Sequence, residues 1–377
     1  MPLPKDGSNP IAWRIEKMNE RVRSAKEQDL YLYLQPAEKV DGVYVTINGR
    51  RMLQFASYAY LNLLGHPKIQ AAARAALDEF GAGTHGVRVL AGTTRIHVEL
   101  EETIARFKHT EAAVALSSGY VTNLGVIAAL LGRNDVVISD KLNHASIVDG
   151  CLLSRANFVR LDHNDMAALE KVLAETPRKA GKLVVVDAVF SMDGDIINLP
   201  EIIRLCRQYE ALLMVDEAHS VGVLGQTGHG ILEHFGIDDP TAIDLHMGTL
   251  SKTIPSVGGY IAGSEELITY LKHSVRAFVF SAALPPASAA AAKASFEVIE
   301  EAIATVGVAS TVLASDLGQP VNPAPVEGLA QYAERLRSSG SSMQTTCACA
   351  SGTETRNSSM TPIDDRATAS PASMPTT

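Results

Sequence analysis

Short runs of aliphatic and β-branched residues recur along the middle of this chain, apolar on both faces and separated by helical stretches. They are Ala112-Ala-Val-Ala-Leu116, Val136-Val-Ile-Ser139, Asn157-Phe-Val-Arg-Leu161, Lys182-Leu-Val-Val-Val186, Leu212-Leu-Met-Val215, Ile243-Asp-Leu245, Gly259-Tyr-Ile-Ala262 and Phe278-Val-Phe280. A strand that is apolar on both faces must be covered on both, so the alternation predicts an α/β fold with a largely parallel sheet between helices. Ligands of such sheets sit outside the carboxyl ends of the strands, and Ser191, Asp216 and Lys252 each follow a run.

Upstream, Pro10 to Lys26 reads as a charged amphipathic helix, and Val43 to Ile47 and Arg51 to Phe55 flank Asn48-Gly49, a strong hairpin signal. Ala-rich and amphipathic helices are expected from Pro67 to Phe80 and from Ile96 to Lys108. A chain of 377 residues, 46% apolar and 20% charged, exceeds the usual size of one domain. The divisions expected are an N-terminal helix and hairpin over 1–60, a large α/β domain over 61–301 and a divergent segment over 302–377. The last forty residues are rich in Ser, Thr, Ala and Pro, cannot bury enough surface to offset ordering entropy, and read as disordered.

A net charge of −9 argues against a phosphate-backbone binder. Cys151, Cys206, Cys347 and Cys349 are too few and too scattered for a disulfide framework or a zinc site, so no metal is expected and a reducing compartment is indicated. No apolar signal segment and no uninterrupted run of spanning length is present, which predicts a cytoplasmic protein without a membrane span.

The chemistry concentrates in Leu212-Leu-Met-Val-Asp-Glu-Ala-His219 and His246-Met-Gly-Thr-Leu-Ser-Lys-Thr253. A lysine among small hydroxyl residues, downstream of a strand ending in an aspartate, suits pyridoxal phosphate. Lys252 would form the Schiff base, and Asp216 would keep the pyridine nitrogen protonated so that the ring accepts a substrate's electrons. Ser117-Ser-Gly-Tyr120 opens a helix whose N-terminal amides suit a phosphate, with Thr249 and Ser251 as further hydroxyl donors. His144 could cover the ring face, and His219 and Ser191 could reach its phenolic oxygen. Each residue has an ordinary alternative: helix caps for Ser118 and His144, turn chemistry for Thr249 and Ser251, an ion pair for Asp216, a solvated surface for Lys252. Their order along an alternating chain favours the joint reading.

Six ordered motifs carry a family resemblance: Ser118-Gly-Tyr120, Asn143-His-Ala-Ser146, Val189-Phe-Ser-Met-Asp-Gly-Asp195, Val215-Asp-Glu-Ala-His219, Gly248-Thr-Leu-Ser-Lys252 and Phe280-Ser-Ala-Ala-Leu-Pro-Pro286. From about Asp41 to Glu301 the chain resembles the α-oxoamine synthases, fold-type I pyridoxal phosphate enzymes with a mostly parallel seven-stranded sheet flanked by helices. The resemblance implies Lys252 as the Schiff-base lysine, Asp216 at the pyridinium nitrogen and His144 stacked on the ring. It places Ser191 and His219 at the ring oxygen, and Gly119, Tyr120 and Thr249 at the phosphate. Ser281 would reach the partner's phosphate in a homodimer with shared sites, and Gly81 to Gly86 with Arg95 to Glu99 would lie near the substrate. The implied reaction is decarboxylative condensation of an α-amino acid with an acyl thioester, on coenzyme A or an acyl carrier protein, giving an α-aminoketone.

Two features depart from that pattern. Ser57-Tyr-Ala-Tyr-Leu-Asn62 stands where the family has Ser-Asn-Asp/Asn-Tyr-Leu-Gly, and no counterpart of its carboxylate-binding arginine follows Glu301, Arg335 and Arg337 having unmatched surroundings. Alternatives therefore stay open: another fold-type I reaction such as transamination or retro-aldol cleavage, or a catalytically impaired or non-catalytic partner subunit. Gly81-Ala-Gly-Thr-His-Gly86 lacks the preceding strand of a dinucleotide site, and Asp216-Glu-Ala-His219 lacks the upstream phosphate loop of a helicase.

Overall fold

The structure, a computed structural model, describes residues 9–306. Helix α1 (Pro10–Glu27) precedes a three-stranded antiparallel sheet of β1 (Lys39–Asp41), β2 (Tyr44–Ile47) and β3 (Arg50–Leu53). Asn48 and Gly49 turn the β2–β3 hairpin with φ of 51° and 70°, the left-handed pair that matches the twist of the flanking strands. The segment beyond Val306, including Arg335, Arg337 and the Ser/Thr-rich end, lies outside the described residues.

Helices and strands then alternate: α2 (Pro67–Phe80), α3 (Arg95–Phe107), β4 (Ala112–Leu116), α4 (Gly119–Leu130), β5 (Val136–Asp140), α5 (Ala145–Ser154), β6 (Asn157–Leu161), α6 (Met166–Glu175), β7 (Lys182–Asp187), α7 (Leu199–Gln208) and β8 (Leu212–Asp216). After these come α8 (Ile231–His234), β9 (Leu245–Thr249), β10 (Gly259–Gly263), α9 (Glu265–Ser274), α10 (Arg276–Val279) and α11 (Pro286–Val306). The seven-stranded sheet runs β4-β10-β9-β8-β7-β5-β6, and β10 alone is antiparallel to its neighbours. Because β10 is antiparallel to both β4 and β9, those two point the same way. The carboxyl ends of β4, β5, β6, β7, β8 and β9 therefore share one edge of the sheet.

Two expected strands need correction. Phe278 lies in the short helix α10 rather than in a strand, packed in the core beside Val275 and Leu271. A three-residue apolar run carries no period, and burial fits either geometry. Strand β9 begins at Leu245, not Ile243; Ile243 follows the 3-10 turn Pro240–Ala242 and is apolar because it fills the core over β7 and β8.

Every residue of β5, β7 and β10 is buried, with apolar clusters on both faces. Behind the sheet edge, Lys108 Nζ at the end of α3 lies 2.7 Å from Glu217 Oε1, both side chains almost fully enclosed. Glu217 also accepts Ile231 N at 2.9 Å and Ser220 Oγ at 3.0 Å, while Lys108 donates to His229 O at 2.6 Å. The pair thus staples the loop after β8 to α3. Burial alone would raise the Glu217 carboxyl, but the Lys108 ammonium and His246 outweigh it and hold it at about 2. Its folded value lies below the ordinary 4.5, so its contribution is present above pH 4.5 and lost as pH falls toward 2. Removing one member of a buried pair leaves an uncompensated charge, so Glu217→Ala is expected to destabilise the fold by about 3–5 kcal/mol in urea unfolding at neutral pH.

Candidate active site

The shared edge collects the chemistry that the strand ends deliver. Asp216 closes β8, is 4% exposed, and accepts Asn123 Nδ2 at 2.7 Å and Ala218 N at 3.0 Å. Asn123 also donates to Ser146 Oγ at 2.9 Å, and Ser146 Oγ lies 2.7 Å from His144 Nδ1. The backbone amide of His144 in turn donates to Asp187 Oδ2 at 2.8 Å. Four elements, α4, the α5 start, β7 and β8, are tied by this one chain of polar contacts.

Lys252, three residues beyond β9, comes within 2.8 Å of His219 Nε2, and His219 Nδ1 lies 2.6 Å from the Tyr60 hydroxyl. The Tyr58 ring centroid is 5.5 Å from Lys252 Nζ. An ammonium only donates; with Lys252 protonated, His219 Nε2 accepts and its Nδ1 proton goes to Tyr60. Burial, reinforced by the Lys252 and His144 charges, lowers the His219 imidazole to about 3. His219 is therefore neutral at physiological pH. Asp187 titrates in the opposite sense: burial first, then the adjacent Asp216 carboxylate, raises it well above the carboxylate range. Two buried carboxyls side by side do not both ionise readily.

The helix start expected to meet a phosphate lies where β4 runs into α4. Ser118 caps α4 by accepting Val121 N, and a Cβ added at Gly119 would stand 3.0 Å from Thr249 Oγ1. That close approach is why glycine occupies the helix start, and it sets the first amides of α4 beside Thr249, whose Oγ1 is 2.8 Å from Ser251 Oγ. Thr249 and Gly119 thus come together as the sequence reading requires. Tyr120 is exposed, hydrogen-bonds Asp149 and sets its ring edge-on to His144 at 6.1 Å. His144 is the exposed N-cap of α5. Ser191 is half-buried in the loop after β7, and Ser281, following α10, points at Ala282 O at 3.5 Å. Gly81 to Gly86 follows helix α2, and Arg95 pairs with Glu79 and Glu99 at the surface.

The donor set fits pyridoxal phosphate. It offers an amine, a buried carboxylate, a helix N-terminus closed by a threonine, and the Asn123 side-chain oxygen, buried with no partner among the described residues. Asn123, Tyr60, Ser146 and Asp187 join this network without a direct sequence signal of their role. An asparagine in the mostly apolar helix Gly119–Leu130, whose other polar side chains are Tyr120 and Thr122, is the available indirect signal for the first, and a second acidic strand end for Asp187.

The profile of the aminotransferase class I and II family matches residues 50–317. The 8-amino-7-oxononanoate synthase of Geobacter sulfurreducens is 49% identical over 279 residues, 74% of this chain and 71% of that protein. The chain belongs to the α-oxoamine synthase family. The serine palmitoyltransferase of Sphingobacterium spiritivorum, another α-oxoamine synthase, is 43% identical over 77% of this chain and 72% of its own length. A solved serine palmitoyltransferase variant from S. paucimobilis with a bound PLP–myriocin aldimine superposes with a TM-score of 0.75 at 33% identity, covering 78% of this chain and 74% of that one. The residues matched by the family profile, 50–317, include Asn123, His144, Asp216, His219 and Lys252.

With its value at about 3, the His219 ring is expected not to titrate between pH 5 and 8. Histidine C2 proton shifts recorded across that range, with His219→Gln for assignment, would show a flat His219 resonance; a midpoint near 6.5 would contradict the enclosed neutral ring.

Proposed function

We propose that Lys252 is the amine that holds pyridoxal 5'-phosphate, with Asp216 at the pyridinium nitrogen and His144 over the ring face. Ser191 and His219 lie toward the ring oxygen, Gly119, Tyr120 and Thr249 surround the phosphate, and Ser281 serves the site of a second subunit. The observation that carries the reading is the convergence of Lys252, His219 and the Asn123-bound Asp216 on the sheet edge that also presents the α4 N-terminus. As an α-oxoamine synthase the chain is a pyridoxal phosphate-dependent acyltransferase of biosynthesis. It condenses an α-amino acid with an acyl thioester, releasing the thiol and carbon dioxide and leaving an α-aminoketone.

The bound cofactor supplies an electron sink for the charge that develops at the amino acid's α-carbon. The side chains do the rest. Lys252 Nζ takes the α-proton, and the neutral His219 orients that nitrogen through its Nε2 lone pair without competing for the proton at physiological pH. Asn123 and the Ala218 amide fix both oxygens of Asp216, so the carboxylate meets the ring in one orientation. His144, exposed at the head of α5, is placed to hydrogen-bond the substrate carboxylate or thioester oxygen as charge builds there. The acyl group is carried on coenzyme A or an acyl carrier protein.

A cytoplasmic homodimer with shared sites completes the proposal. Exposed apolar side chains support the pairing: Ile11, Ile15 and Met18 repeat along α1, which buries none of its own residues, and Phe280 stands 70% exposed beside Ser281. No helix among the described residues is long and apolar enough to cross a membrane. The division into 1–60, 61–301 and 302–377 belongs to the same proposal.

Lys252→Ala is expected to abolish the visible absorbance band of protein-bound cofactor, since the band requires the covalent lysine link. Titration of the wild type with glycine, alanine and serine, followed by thiol release from a panel of acyl thioesters, identifies the substrates. Amino-group transfer to a keto acid without thioester consumption would exclude the condensation.

A further inference from the structure

Away from the cofactor residues, His163 stands between two carboxylates at the carboxyl end of the sheet. Its Nδ1 is 3.0 Å from Asp140 Oδ2 and its Nε2 is 2.5 Å from Asp195 Oδ2. Neutral imidazole has one N–H and one lone pair, so it satisfies one carboxylate and repels the other; only the imidazolium donates to both. We propose that His163, held doubly protonated between Asp140 and Asp195, is a positioning residue that locks the loop after β7, and with it Ser191, onto the sheet edge.

The surrounding contacts make the clasp specific. Asp140, at the end of β5, is nearly buried and fixed by Leu142 N at 2.8 Å and Asn164 N at 2.9 Å, so it is a rigid anchor. Asp195 belongs to the loop that leaves β7: Val189 bridges Ile196, Phe190 N donates to Asp195 O at 3.1 Å, and Gly194 turns the segment at φ 74°. Ser191 sits inside that closed turn. Phe190 meets the imidazole edge-on at 4.5 Å, and the Asn164 amide lies 3.4 Å from Nε2. The nearby Lys141 is paired with Asp162, so the charges facing the ring are the two aspartates. Partial burial works against protonation, but Asp195 and Asp140 outweigh it and raise the imidazole above its ordinary 6.5. The clasp is accordingly closed below that raised value and opens as pH rises through it. Its bearing on the cofactor rests on the reading of Ser191 given above.

The test uses the full-length protein loaded with pyridoxal phosphate. Histidine C2 resonances, with His163→Gln for assignment, should place the His163 midpoint above 6.5, and Asp195→Asn should lower it. Hydrogen exchange of peptides spanning 189–197, normalised to intrinsic rates, should show protection that falls as pH passes that midpoint. Asp195→Asn and His163→Gln should remove this pH dependence, and His163→Arg should restore protection by supplying two donors again. Both unclasped variants should release pyridoxal phosphate up to roughly fivefold faster, the scale expected for losing a partly exposed ion pair. A midpoint at or below 6.5, or exchange indifferent to Asp195→Asn, overturns the clasp. A normal clasp in both measurements with unchanged cofactor release in the variants upholds the clasp and removes Ser191 from the cofactor's contacts instead.

Discussion

The site depends on a single run of hydrogen bonds from Asp216 through Asn123 and Ser146 to His144, whose backbone ends on Asp187. It fixes a buried carboxylate in orientation as well as position. A buried anion is tolerated only when its lone pairs are met by donors, and Asp216 has one donor on each oxygen, neither of them a cation. Neutral donors thereby hold the carboxyl group in one orientation, which suits the place beside a pyridinium nitrogen proposed for it.

Two different treatments of buried charge lie back to back along β8 and its loop. Among the described residues Asp216 is hydrogen-bonded without an ion pair, whereas the next residue, Glu217, is matched by the Lys108 ammonium away from solvent. The neutralised pair anchors the loop to α3, and the unpaired carboxylate one residue earlier is free to act on a ligand. Swapping those roles would destroy both, because an ion pair at 216 would silence the charge and an unpaired 217 would destabilise the loop. His219, three residues on, completes the arrangement: enclosure strips it of its proton, so it orients Lys252 without adding positive charge beside the amine.

The departure at Ser57-Tyr-Ala-Tyr-Leu-Asn62 takes on meaning in this setting. Tyr60 is hydrogen-bonded to His219 and Tyr58 faces Lys252 through its ring. The segment therefore lines the space beside Lys252 and His219, with the Tyr58 ring where the family pattern has its first asparagine and Tyr60 where it also has tyrosine. At position 58 an aromatic ring and a hydroxyl thus stand in place of an amide, in contact with the proposed Schiff-base lysine.

The alternating apolar runs were enough to determine a helix-covered sheet, because burial on both faces leaves a two-sided signature in each strand. The positions of Ser191, Asp216 and Lys252 at or just past strand ends were legible for the same reason, since each follows one of those runs. What the sequence could not decide was any contact between residues far apart in the chain. Asn123 lies 93 positions from the Asp216 it holds, and Tyr60 lies 159 from His219; neither carries a local pattern that names its partner. The runs at Ile243 and Phe278 failed for a related reason. Apolarity records that a side chain is buried, and only the packed fold decides whether the backbone beneath it joins a ladder, a loop or a turn of helix.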